Sequence, residues 1–237
     1  MSSLKTLVFF ATPPHDCSYL EDRAATTMFV DPRARVDKTL YSQLTALGFR
    51  RSGSHYYRPH CEHCNACIPV RLNVEQFRPD RSQRRVIRRN ADLEFELKPA
   101  QFTEAYYDLY ARYIEQRHAD GDMYPPSREQ FASFLVEGPT ESYFLEMRKG
   151  GRLIGLAAMD ALDDGLSAIY TVFEPEEAER SLGTMAVIWQ TQEAQRRFLR
   201  YVYLGYYIRE CRKMNYKTRF QPIEALRDGH WDTMKTP

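Results

Sequence analysis

Arg152-Leu-Ile-Gly-Leu-Ala-Ala-Met159-Asp160-Ala-Leu-Asp163-Asp164-Gly165-Leu166-Ser-Ala-Ile-Tyr170-Thr-Val-Phe173 is the stretch whose reading decides the fold. An apolar run, Leu153 to Met159, ends on a carboxylate at Asp160 and meets an Asp163-Asp164-Gly165 turn. A β-rich run, Leu166 to Phe173, follows, so the segment reads as a hairpin. After Pro175 and an acidic segment the chain reads Arg180-Ser181-Leu182-Gly183-Thr184 and enters a helix. Met185, Ile188, Trp189 and Leu199 have the spacing of one buried face. A helix start leaves backbone N–H groups unpaired at the positive end of its dipole, which suits a phosphate or a developing oxyanion. Two strands feeding such a helix have the shape of an acyl-transfer centre.

Composition sets the outer limits. The 237 residues suffice for one large domain or two small ones with a real core. A formal net charge of +1 excludes the global field of a dedicated nucleic-acid binder, so any such contact must be local. No apolar run approaches the ~18–20 residues needed to cross a bilayer. The Leu7 to Ala11 run is too short for a signal peptide, and the protein is expected to be cytoplasmic. Its five cysteines should then be reduced, favouring metal or redox roles over disulfides.

Working outward, residues 1 to about 35 read as irregular. Asp37 should cap a helix over about 37–47, with Leu40, Leu44 and Leu47 on one face and Gly48 beyond its end. Residues 49–75 read as β-hairpin material: Phe49, Tyr56 and Tyr57, then Ile68 to Val74. A basic run, Arg78, Arg81, Arg84, Arg85, Arg88 and Arg89, would place Arg81, Arg85 and Arg88 on one helical face, and also Arg84 with Arg88. The change at Lys98-Pro99 suggests a boundary between an N-terminal portion, 1–100, and a C-terminal domain, 101–237. Tyr106, Leu109, Tyr110 and Tyr113 mark a helix over 104–118, and a polar loop from His118 to Pro126 precedes another helix near Ser127. Tyr143, Leu145 and Met147 alternate as a strand, and Tyr201 to Ile208 reads as a further strand. The fold class is α+β.

Four groups carry chemistry. Cys61-x-x-Cys64-x-x-Cys67, with Cys17 as a possible fourth ligand, suits zinc or an iron–sulfur cluster, and His60 and His63 could substitute at zinc. Three ordinary thiols are the plain alternative. The arginine run suits a phosphate backbone, because guanidinium forks match phosphate oxygens; a solvated helix face is the bland reading. Arg180-x-x-Gly183 loosely resembles the pyrophosphate loop of coenzyme A-dependent N-acetyltransferases, but Met185 replaces that pattern's final small residue. Asp160 is either a carboxylate with a shifted pKa or a turn residue, and Tyr170 alternates with Leu166, Ala168 and Val172 as core.

Together these pieces resemble the arginyl-tRNA–protein transferases. Cys17-Ser-Tyr-Leu, Phe49-Arg-Arg-Ser-Gly-Ser, Tyr57-Arg-Pro-x-Cys61 through Pro69-Val-Arg-Leu and Gln83-Arg-Arg are similar to the N-terminal half of that family. Leu166-Ser-Ala-Ile-Tyr170, Ser181-Leu-Gly183-Thr, Leu204-Gly-Tyr-Tyr-Ile and Lys213-Met-Asn-Tyr-Lys217 are similar to its C-terminal half. The short chain, the Cys-x-x-Cys-x-x-Cys loop and Arg117-His-Ala-Asp-Gly-Asp-Met-Tyr-Pro-Pro-Ser127 are most similar to its bacterial, leucine-transferring branch. The resemblance implies transfer of leucine from leucyl-tRNA to proteins with N-terminal Asp or Glu, marking them for N-degron degradation. It also implies a C-terminal mixed sheet flanked by helices, similar to N-acetyltransferases, beside a smaller N-terminal portion carrying the Cys loop.

On this basis the transfer chemistry requires no cofactor. Asp160 is expected to orient or deprotonate the acceptor amine, with Tyr170 nearby and Ser181 in the catalytic group. Leu182, Gly183 and Thr184 are expected to hold the aminoacyl end, and Arg81, Arg84, Arg85 and Arg88 the tRNA backbone. An acidic acceptor needs a cationic pocket, for which Arg50, Arg51, Arg58, Lys217 and Arg219 are candidates. The rival classes are a coenzyme A-dependent N-acetyltransferase and a non-enzymatic, metal-containing RNA-binding or redox-sensing protein.

Overall fold

A computed structural model describes residues 3–138 and 141–234. In chain order the first part holds β1 (Phe9–Ala11), β2 (His15–Asp16), β3 (Ala24–Ala25), β4 (Thr27–Val30), α1 (Lys38–Ala46), β5 (Arg50–Ser52) and β6 (His55–Pro59). There follow β7 (Ile68–Asn73), α2 (Arg81–Arg89), β8 (Leu93–Pro99), α3 (Glu104–Arg117), α4 (Arg128–Phe131), β9 (Ser142–Lys149), β10 (Arg152–Ala161) and β11 (Gly165–Phe173). The chain closes with α5 (Leu182–Arg196), β12 (Tyr201–Tyr207), α6 (Arg212–Asn215), β13 (Ile223–Arg227) and β14 (His230–Thr233).

The local signals explain most of these elements. The Asp163–Gly165 turn joins β10 to β11, which pair antiparallel from Gly155↔Phe173 to Ala161↔Leu166. Asp37 caps α1 by accepting from the Leu40 N–H, and Asp80 caps α2 in a reciprocal box with Gln83. Each such cap is worth about 1 kcal/mol. β10 is apolar from Leu153 to Met159 because both its faces are covered. Ala157 and Met159 pack into one cluster with α5, while Leu156 and Ala158 join the other with α3.

The main sheet has the order β14-β13-β7-β12-β11-β10-β9-β8, and only the β11–β12 pair is parallel. α2 and α5 cover one face; α3 and α4 cover part of the other. The rest of that second face receives α1 and a small sheet, β1-β4-β6-β5, through Leu40, Tyr41, Leu44, Tyr201 and Tyr203.

Four expectations need correction. Residues 1–35 are not irregular: β1 to β4 lie there, and β1 and β4 build the small sheet. The 49–75 segment is not one hairpin. β5 and β6 pair in the small sheet, but β7 leaves it and inserts between β12 and β13 of the main sheet. A bulge in β11, between the Ala158↔Tyr170 and Met159↔Ala168 pairs, reverses the alternation. Leu166 and Ala168 therefore face the α5 side, whereas Tyr170 and Val172 face the α3 side. The main sheet also runs across the 100/101 boundary, since it includes β7 and β8.

Candidate active site

The parallel pair makes the site. β11 and β12 are hydrogen-bonded only from Gly165↔Tyr201 to Ser167↔Tyr203. Beyond that, β11 continues on β10 alone and β12 on β7 alone, so the two strands part toward their C-terminal ends. Parting strands leave peptide groups unclaimed by a ladder, and something must answer them. Arg50, at the start of β5, does so. Its Nη1 donates to Ser167 Oγ at 2.9 Å, and its Nη2 donates to the Ala168 carbonyl. On the β12 side Gly205, at φ +82°, lets the guanidinium in: a Cβ there would stand 3.3 Å from Arg50 Nε.

Lys217 comes to the same opening from the turn after α6. Its Nζ donates to the Tyr206 carbonyl and to Met214 Sδ at 3.4 Å. Arg50 is 9% and Lys217 4% exposed, yet neither forms an ion pair with a carboxylate among the described residues. Burial first, and the Arg50 charge second, hold the Lys217 ammonium down to about 7. Two buried cations without a counter-ion are costly, and an incoming anion would relieve that cost. Of the expected acceptor candidates, the structure brings these two together. Arg58 instead lies over the Phe49 ring, and Arg219 is exposed, its carbonyl accepting from Gln83 of α2.

Asp160 does not serve as expected. It is 0% exposed, and its oxygens are taken by Arg51 Nε (2.6 Å) and Nη2 (2.7 Å), Tyr41 Oη (2.8 Å) and Ser142 Oγ (2.7 Å). A carboxylate so enclosed has no free lone pair for a substrate ammonium, so the base role is withdrawn. With Arg51, also a candidate for the acceptor, it forms an internal lock between β5, α1 and β10. Tyr170 is packed edge-on against Tyr113 and Phe134, and burial pushes its phenol well above the usual range. It stays protonated, so it can hydrogen-bond or pack but cannot act as a base. Among the described residues no hydrogen bond joins Asp160, Tyr170 and Ser181, so the structure does not link the three as a hydrogen-bonded trio.

At the start of α5, Ser181 sits in the left-handed region (φ 58°), its side chain making no capping bond. Leu182 is wholly buried and packs toward Gly155, so its side chain cannot touch tRNA. Gly183 has open space where a Cβ would be, and Thr184 is partly exposed. Arg180 is already claimed by Asp92 (2.8 Å) and Glu177 (2.6 Å), so it offers no free fork to a pyrophosphate. On α2, Arg81, Arg84, Arg85 and Arg88 are all exposed, and none is paired with a carboxylate among the described residues. Gln83 and Val86 bury the opposite face.

Two family models match this geometry's owner: the N terminus of arginine-tRNA-protein transferase over residues 15–85, and the C terminus of the same over 105–227. The chain belongs to the arginine-tRNA-protein transferase family. It is 77% identical over the full length of both chains to a Marinobacter nauticus protein named aspartate/glutamate leucyltransferase. Proteins of the same name from Pseudomonas fluorescens (55%, 99% of this chain and 100% of that one) and Alcanivorax borkumensis (54%, 100% and 98%) are also similar. Among solved structures, one described as L-PGS from Bacillus licheniformis covers 86% of this chain and 70% of its own, at 10% identity and a TM-score of 0.47. That likeness is too slight to bear on the fold.

The cysteine loop of this family member lies beside the opening. Cys17, Cys61 and Cys67 line a cavity of about 510 Å³ that also includes Tyr57 and Tyr206. All five cysteines are free thiols. Burial, and then the neighbouring cysteines, push the Cys67 thiol up to about 12. The donor type suits a thiophilic metal, but among the described residues no three or more His, Cys, Asp or Glu stand together as a ligand set. The polar loop after α3 leans over the same region, with Lys213 on Asp120 (3.1 Å) and Ser18 on Asp122 (3.4 Å). Sequence reasoning missed the Ser167 hydroxyl and the contributions of Ala168, Gly205 and Tyr206, which matter through backbone position. The Leu204-Gly205 step inside an apolar strand was the one available signal.

Proposed function

We infer that this chain is an aminoacyltransferase that moves leucine from leucyl-tRNA to the N-terminal amine of proteins beginning with Asp or Glu, marking them for N-degron degradation. Full-length identity to proteins of that name supports the activity. The observation that carries the site is the buried Arg50–Lys217 pair, which has no carboxylate counter-ion among the described residues. The acceptor's side-chain carboxylate supplies one. Bound there, it places the acceptor's α-amine at the parting of β11 and β12.

The chemistry asks little more than placement. The free amine attacks the leucyl ester carbonyl; the new C–N bond forms as the C–O bond to the tRNA 3′ oxygen breaks. That oxygen leaves with a proton, the amine giving one up. An α-amine has a pKa of about 7.7–8.0, so a useful fraction is neutral without a dedicated base. Effective molarity and polar stabilisation of the carbonyl oxygen then do the rest. The open α5 start at Ser181, Gly183 and Thr184 suits the terminal adenosine. The exposed arginines of α2 suit the tRNA backbone. A parallel pair that opens at its C-terminal end, with the intervening helix on one face, supports reading this half as N-acetyltransferase-like. No helix is long and apolar enough to cross a membrane among the described residues, and a charged-tRNA substrate points to the cytoplasm. No step runs through the thiols; a metal bound there would act on the shape of the neighbouring cavity.

The test compares peptides starting with Asp and Asn, in wild type and Lys217→Met. Loss of one buried charge partner costs about 2 kcal/mol or more. The variant should therefore lose about thirtyfold in kcat/KM on the Asp peptide while changing little on the Asn peptide. Equal losses on both would make Lys217 structural and sink the anion-site assignment.

A further inference from the structure

α5 ends in a way that its sequence should avoid. Leu199 N donates to the Ala194 carbonyl at 2.8 Å and Phe198 N to the Gln195 carbonyl at 3.1 Å, the double closure in which the intervening residue turns left-handed. That residue is normally Gly or Asn. Here it is Phe198, at φ 58° and 95% exposed. A bulky side chain in the left-handed region is strained, and a fully solvated ring contributes nothing to the core. The fold gains nothing from phenylalanine at this position, so the ring serves something outside the fold.

Its surroundings indicate what. Phe198 borders a cavity of about 680 Å³ lined by Phe77, Pro79, Gln192, Arg78 and Arg200. Arg78 and Arg200 are exposed and unpaired with any carboxylate among the described residues; Glu75 is the one acidic residue on the wall. The groove continues into the basic face of α2, because Arg84 Nη1 donates to the Pro79 carbonyl at 2.6 Å. At its other end α2 meets the start of α5, where Arg180 Nη1 donates to the Arg89 carbonyl at 3.0 Å. A cationic track thus runs beside α5 from its start to an aromatic ring at its end. Along β12, Arg200 and Tyr206 are six residues apart, about 20 Å at ~3.3 Å each.

We propose that Phe198, flanked by Arg78 and Arg200, is a stacking platform for the acceptor arm of the charged tRNA, capping the exposed base face where the duplex ends. The unpaired 3′ tail of a tRNA, ~4 nucleotides, spans about 14 Å when stacked at ~3.4 Å each and more when splayed. That is the right order of length to carry the leucyl ester from the ring to the opening. Aromatic stacking on bases is sequence-tolerant and strong enough to matter for binding. The assignment rests on the leucyl-tRNA reading above.

Phe198→Gly tests it, because glycine relieves the left-handed strain and should hold or raise the thermal midpoint. For this variant the KM for leucyl-tRNA should rise about five- to thirtyfold with kcat kept. The KM for a leucylated trinucleotide donor, which lacks the stem, should move less than twofold, and Phe198→Trp should restore tRNA binding. Wild-type transfer from leucyl-tRNA is the reference, so absence of any transfer would count against the reaction and not against the platform. An unchanged KM for leucyl-tRNA would overturn the proposal. So would a rise confined to the acceptor protein, which would make the groove a protein-docking surface.

Discussion

Two adjacent arginines divide the work at the residue scale. Arg51 is locked onto Asp160 with both side chains fully buried, while Arg50 reaches Ser167 and Ala168 where the strands part. The sequence Arg50-Arg51 supplied both as acceptor candidates but could not separate them. Neighbours on a strand point to opposite sides, and which side holds a carboxylate depends on β10, over a hundred residues away. The same distance hid the fate of Asp160: a carboxylate ending an apolar strand reads alike whether it faces a cleft or a buried guanidinium. Asp160→Asn should therefore act on stability first. Leaving a buried Arg51 uncompensated costs about 3–5 kcal/mol, or roughly 10 °C in melting temperature at ~2–4 °C per kcal/mol. A variant with an unchanged melting curve but no transfer would restore the catalytic assignment. Lys217 gives a pH signature. Its folded pKa, about 7, lies below the ordinary value of 10.5, so the unfolded chain holds its proton more tightly. Stability from this group rises with pH between about 7 and 10.5, and the cost of burying the ammonium is fully present below about 7. A carboxylate needs the ammonium form. The KM for a Glu-initiated peptide should rise above about pH 7 in wild type and stay flat in Lys217→Met; parallel profiles would contradict the pairing.

Elements fixed by local chemistry were the legible ones. The Asp163–Gly165 turn, the Asp37 and Asp80 caps and the spacing of Met185 and Ile188 each act within a few residues, and β10, β11, α1, α2 and α5 formed accordingly. The bulge at Ile169 was not legible, because it adds one residue without a Gly or Pro to announce it. That single residue set Tyr170 and Val172 on the α3 face, apart from Leu166 and Ala168, with which the alternation grouped them. The arginines of α2 were legible as a surface since only Gln83, Val86 and part of Ile87 are drawn inward. Replacing Arg84, Arg85 and Arg88 by Ala should raise the KM for leucyl-tRNA and lower the slope of log KM against log salt. Each lost phosphate contact is worth ~0.7–0.9 in slope. An unchanged slope would make the face merely solvated.

At the scale of the whole molecule, the N-terminal segment does not stand beside the C-terminal sheet; it completes it. β7 lies between β12 and β13, where Arg71 stacks on Tyr201 and Trp231 and pairs with Glu224 at 2.7 Å. Such long-range insertion has no local signature, so composition near Lys98-Pro99 could not reveal it. The consequence bears on function: the two buried cations proposed for the acceptor come from both halves, Arg50 from the first and Lys217 from the last, and meet only in the folded chain. Donor and acceptor specificity should accordingly belong to one site. Labelled leucyl-, arginyl- and phenylalanyl-tRNA, each offered with peptides starting with Asp, Glu, Asn or Arg, test that directly. Label passing from leucyl-tRNA to the Asp and Glu peptides alone is the predicted result. Leucine passing equally to the Asn peptide, or arginine in place of leucine, would contradict it.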